Sequence, residues 1–200
     1  MEQLADQGDG NYAYIDTLDE AERVFADKLT AIIFTIAKDA KIQVEFNAAV
    51  VERYRLLGYE NRDVADEDFR NDAVDAGEIG AGHSVTALYE VKFAENSNPA
   101  ETALTVRVRY ADPETDEVTE IESSLAQQDF ADSFTAASLH FQLAATVAEY
   151  AEILRESYWA KGSSLASVSE DANRIAHGLA QDENVQEFAG LVNTAVSLMQ

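Results

Sequence analysis

The sequence predicts an α+β chain: an antiparallel β-sandwich followed by a small antiparallel helical bundle, with a truncated α/β remnant at the N-terminus. Three observations carry this. The stretch GHSVTALYEVKF alternates, with Val85, Ala87, Tyr89, Val91 and Phe93 on one side and Ser84, Thr86, Glu90 and Lys92 on the other, the signature of a strand with one buried face. Ile42, Val44 and Phe46 repeat the pattern in KIQVEFN. After Asp129 the apolar spacing changes from two to three and four, which is helical. The corresponding domains are 1–35 for the remnant, 36–126 for the sandwich and 127–200 for the bundle.

Taken in order, Asn11 to Ile15 (NYAYI) is a short strand candidate. Thr17 and Glu20 have capping-box spacing, with Asp16 adding charge where a helix N-terminus favours it. Leu18, Ala21, Phe25, Leu29 and Ile32 then follow at helical spacing. Strand and capped helix form a piece of an α/β layer, yet a lone parallel strand lacks partners for its backbone. The reading is of a chain that begins inside a domain whose body lies upstream. The strand should then find no central place in a parallel sheet made by this chain alone.

The predicted strands are Ile36–Phe46, Val51–Tyr59, His83–Phe93, Ala103–Tyr110 and Val118–Leu125. Between the second and third runs an acidic loop holding Asp63, Asp66, Glu67, Asp68, Asp72, Asp75 and Glu78. Loops of this length are often functional. The last two strands flank ADPETDE, a turn containing Pro113. Their register is set by burial and then by charge. Val108 opposite Ile121 and Leu104 opposite Leu125 place the apolar residues together on a buried side. Arg109 then faces Glu120 and Arg107 faces Glu122 on the open side. A slip of one residue would turn every apolar side chain outward, whereas ion pairs only choose among registers of the same parity. Val118 shares a face with Glu120 and Glu122, so a bulge or fraying is expected beside the turn.

From Ala131 to Tyr158, Leu139, Leu143, Val147 and Leu154 join Ala137, Phe141, Ala144 and Ala151 in an apolar arc of roughly 200°. Such a helix should be covered on two sides. Gly162, Ser163 and Ser164 break the chain. A second helix carries Leu165, Val168, Ala172, Ile175 and Leu179, and Asp182 caps a third with Val185, Phe188, Val192, Ala195 and Met199.

Composition narrows the function. Hydrophobic residues make up 46% of the 200, enough for a packed core. Thirty-eight acidic residues against 14 basic give a formal charge of -24, a surface that repels nucleic acid and anionic membranes. There is no cysteine, which excludes disulfides, thiol catalysis and Cys-ligated zinc. No run approaches the roughly 18 apolar residues of a spanning helix.

GNYAYIDTLDEAERVF resembles the last strand and helix of the von Willebrand factor type A (VWA) domain in a family of bacterial VWA-domain proteins. KIQVEFN, YRLLGYENR and GEIGAGHSVTALYEV resemble the region that follows, and SLHFQLAATVAEYAEILRES the region that ends those proteins. The resemblance implies an uncharacterised C-terminal domain, a location in the bacterial cell envelope or outside the cytoplasm, and an upstream segment that helps complete the sheet. It also implies a Mg²⁺-dependent adhesion site, but only in the upstream VWA domain. That site needs Asp-x-Ser-x-Ser, which this chain lacks, so no metal ligand is carried over and no cofactor is expected here.

The remaining candidates are weak. His83 and Ser84 are adjacent and so point to opposite faces of a strand, a poor dyad. His140 falls in the apolar arc and is expected to be buried and metal-free, and His177 beside Gly178 to be a surface residue. GEIGAG is followed by a strand and no Lys-Ser/Thr, so it is no phosphate cradle. Tyr54, Tyr59, Tyr89, Phe93 and Tyr110 are expected in the core. No catalytic, cofactor-binding or metal residue is assigned. The expected role is a non-catalytic accessory and protein-interaction region, with homo-oligomers possible through unpaired strand edges. The alternative is a small-ligand or divalent-cation site in acidic loop 60–78.

Overall fold

The computed structural model describes residues 13–27, 29–58, 65–74 and 76–199. The fold is α+β, and the chain divides into two compact units, Met1–Asp129 and Phe130–Gln200. In the first, α1 spans Leu18–Glu22, a π-helical turn spans Arg23–Asp27, and α2 spans Leu29–Ile33. The strands are β1 (Thr35–Phe46), β2 (Val51–Leu57), β3 (Gly77–Gly80), β4 (Leu88–Phe93), β5 (Thr102–Ala111) and β6 (Val118–Ala126). The second unit holds α3 (Leu139–Leu154), α4 (Leu165–Gly178) and α5 (Glu183–Leu198).

All pairings are antiparallel, as the alternation predicts. One sheet has four strands in the order β3-β1-β5-β6, and the other pairs β2 with β4. Strand β1 serves two partners, β3 over Thr35–Ala40 and β5 over Lys38–Phe46. The handover is an irregularity at Asp39, which takes a left-handed conformation (φ 51°). Its carboxylate accepts from the Ala76 N–H at 3.2 Å, pinning the segment that leads into β3. The two sheets meet at an aromatic cluster: the Phe46 ring stacks on Tyr54 at 4.0 Å and meets Tyr89 edge-on at 5.3 Å. Beside it, Val50, Val51 and Ala103 form a small core.

Several expectations need correction. The strand predicted over His83–Phe93 begins only at Leu88, and Val85 and Ala87 are exposed. The strand the sequence hid is β3, from the GEIG of the presumed loop. Four residues with two glycines show no readable period, and only the partner edge of β1 makes them a strand. Strand β2 stops at Leu57, and Tyr59 lies outside the described residues. Tyr54 is exposed despite its stacking, so it is not core. Asn11 lies outside the described residues, and Ala13–Ile15 form no strand. Thr17 does cap α1, its hydroxyl accepting from the Glu20 N–H at 3.1 Å, but Leu18, Phe25 and Leu29 are exposed.

In the helical unit each helix start follows its capping residue. Ser138, Ser164 and Asp182 accept from backbone N–H groups of the first turns of α3, α4 and α5. The core joins Tyr150 of α3 to Val168, Ala172 and Ile175 of α4 and Val185, Ala189 and Val192 of α5. Met199 lies outside it and is exposed. Gly178 has a packing reason: a Cβ there would come within 2.6 Å of the Leu139 Cδ1, so glycine lets the start of α3 close on the end of α4.

The face α3 buries is polar at its centre. Gln142, 2% exposed, donates to the Ala137 carbonyl at 2.6 Å and accepts from the Arg174 guanidinium at 2.6 Å. Thr146, also buried, returns its hydroxyl to the Gln142 carbonyl at 2.8 Å. Among the described residues of its own unit, helix α3 is therefore covered on one side rather than on the two its arc predicts. Phe141, Val147 and Leu154 stay exposed, and so does His140, contrary to its expected burial. The reason is that Gln142, Thr146 and Tyr150 join Leu139 and Leu143 of the predicted arc on the face toward α4 and α5, which leaves the rest of the arc outward.

Two stability measurements check this packing by urea titration. Ile175→Ala empties a fully buried position and should cost about 2–5 kcal/mol. Gln142→Leu keeps the volume but strips the Ala137 carbonyl of its partner, and should cost about 1–3 kcal/mol. A neutral Gln142→Leu would mean that the buried polar cluster contributes nothing.

Candidate functional site

The four-stranded sheet has one apolar and one charged face. Across β1, β5 and β6 the apolar rows are Ile42–Val108–Ile121, Val44–Val106–Ser123 and Phe46–Leu104–Leu125. The charged rows are Lys41–Arg109–Glu120 and Gln43–Arg107–Glu122, followed by Glu45–Thr105–Ser124. The β5–β6 register is the one charge and burial predict, with Val108 opposite Ile121 and Arg109 opposite Glu120. The expected bulge beside the turn is absent, and the irregularity lies at the far end, between Thr102 and Leu104. The turn itself explains this. Asp112 accepts from the backbone N–H groups of Thr115 and Glu114, each at 2.9 Å, and Asp116 takes the left-handed conformation that closes it. Those N–H donors hold the Asp112 carboxyl below its usual range.

The charged face carries a lattice. Arg107 donates to Glu45 at 2.7 Å and to Glu122 at 3.2 Å, bridging strands on both sides of β5. Arg109 reaches Asp72 at 2.8 Å and Glu120 at 3.6 Å. Arg70 grips Glu120 with two bonds, 3.0 and 2.6 Å. This bidentate contact is the main reason the Glu120 carboxyl sits below its usual range. Arg70 and Asp72 belong to the acidic loop. Its described part is thus a strap drawn across the sheet. Phe69 is 3% exposed beneath it, and the Lys41 amine, on a side chain 5% exposed, donates to the Asn71 carbonyl at 2.6 Å. Gln43 donates to Asp66 at 3.1 Å.

Between β1 and the β2–β4 sheet lies a cleft of about 470 Å³, lined by Lys41, Gln43, Tyr54, Asp66, Phe69 and Tyr89 among others. It borders the strap, so strap and cleft form one region. Four of the loop's carboxylates have partners within the unit: Asp66 bonds Gln43, Asp68 bonds Asn71, Asp72 bonds Arg109 and Glu78 bonds Thr35, while Glu67 is exposed. Asp63 and Asp75 lie outside the described residues. Among the described residues no group of three or more His, Cys, Asp or Glu side chains converges to hold a metal ion.

The histidines are scattered. His83 is exposed in the β3–β4 connection, where its backbone N–H donates to the Gly80 carbonyl at 3.0 Å. His140 and His177 are exposed on α3 and α4. Sequence reasoning missed Arg70 and Phe69, and placed Asp72 in the acidic loop without its partner Arg109. The available signal was Phe69 itself, a lone aromatic in the acidic run DEDFRND.

The apolar face is the other feature. Leu104 is buried, but Ile42 is 52% and Ile121 55% exposed, and Leu125 is exposed too. The small sheet covers only the Phe46 end, so the side expected to be buried stays half open. Strand β6, nine residues long, pairs with β5 on one edge, and among the described residues no strand pairs with the other. No described helix is long and apolar enough to cross a membrane.

The strap's attachment is testable by charge removal and by pH. Glu120 has a depressed carboxyl pKa when folded, so its stabilisation is complete above the ordinary carboxylate range. It is lost as pH falls through the lowered value. Arg70→Ala should release the strap at neutral pH, seen as faster amide exchange over residues 66–74. Acid should do the same to the unaltered chain. Unchanged exchange in Arg70→Ala would show that Phe69 burial and the bonds from Lys41, Gln43 and Arg109 hold the strap without Arg70.

Residues 31–198 match the family model described as "Uncharacterized protein YfbK, C-terminal". The chain is 35% identical over 214 aligned residues to "Uncharacterized protein YfbK" of Escherichia coli (strain K12), covering 98% of this chain and 36% of that protein. It therefore spans about a third of the length of that curated relative. No solved structure matches it.

Proposed function

The chain belongs to the family of YfbK C-terminal regions, and from that premise we propose that it is a non-catalytic accessory and protein-interaction region of a bacterial VWA-domain protein. One observation carries the reading: the outer edge of β6 and its exposed apolar row, Ile121 and Leu125. An unpaired strand edge offers backbone donors and acceptors to an added strand, and alternate side-chain sites give such pairing its specificity. Glu120 and Glu122 do not oppose this, because Arg70, Arg107 and Arg109 neutralise them from within the unit. The partner is a protein segment rather than nucleic acid, since the net charge of -24 repels polyanions. The resemblance to envelope VWA proteins supports a place in the cell envelope or outside the cytoplasm, and a Mg²⁺ site confined to an upstream VWA domain.

The alternative, a divalent-cation or small-ligand site at loop 60–78, draws less support. The described carboxylates with assigned bonds there are held by Gln43, Asn71, Arg109 and Thr35.

The test expresses a full-length family member in two pieces, this region and the remainder, and measures their association by titration calorimetry. The pieces should bind, and Ile121→Lys with Leu125→Lys should weaken binding at least about tenfold, a change of about 1.4 kcal/mol. Retained binding in that variant would move the interface away from β6. Failure of the unaltered pieces to bind would remove the reading. Titration with Ca²⁺ and Mg²⁺ should give no saturable heat, and a saturable signal would favour the alternative.

A further inference from the structure

We draw no further inference here: the strongest candidate, the cleft of about 470 Å³ between β1 and the β2–β4 sheet, belongs to the site already described, and its polar side chains Lys41, Gln43, Arg55 and Asp66 are bonded within their own unit, so nothing in the structure shows what would fill it.

Discussion

Strand β5 is held from both sides, and the sheet unit depends on that. Its arginines 107 and 109 have carboxylates within reach on β6, and Arg107 has Glu45 on β1 as well. In a chain with 38 acidic and 14 basic residues, cations placed mid-sheet decide where the acids can gather. Strand β6 brings Glu120 and Glu122, β1 brings Glu45, and the strap brings Asp72. Without the two arginines this face would hold mutually repelling carboxylates. Exposed pairs contribute little singly, so the arginines act chiefly as specification: they tell β1, β6 and the strap where to lie, while burial of Leu104 and its neighbours supplies cohesion.

The strap shows how a segment of acidic composition can be structural. Its Asp66 and Asp72 bond Gln43 and Arg109, and its one aromatic residue, Phe69, is buried. On the opposite face of the sheet the situation reverses, because apolar side chains there outnumber what the two-stranded sheet can cover. In the sheet unit the polar face is bonded from within, and the apolar face is only partly covered.

The helical unit repeats the lesson in another form. Its interior admits Gln142 and Thr146 because their polar atoms find carbonyls and the Arg174 guanidinium. Burying these on α3 turns Phe141, Val147 and Leu154 outward. A reading based on hydrophobicity alone finds Leu139 and Leu143 but misses the buried polar side chains beside them, since it cannot see that a hydrogen-bonded glutamine is cheap to bury.

What the sequence by itself determined was local. Period-two alternation marked β1, β5 and β6, three-and-four spacing marked α4 and α5, and the caps Thr17 and Asp182 acted where their spacing placed them. The β5–β6 register was also legible, because a tight hairpin pairs residues close in sequence and a slip exposes whole rows. Tertiary structure alone decided the rest. It made GEIG a strand by offering it the edge of β1, ended β2 and delayed β4, and drew Arg70 and Asp72 onto the sheet. It also chose which faces of the sheet and of α3 were covered. Those outcomes depend on segments distant in the chain, and a side chain's pattern states which face it belongs to, but not what will arrive to cover that face.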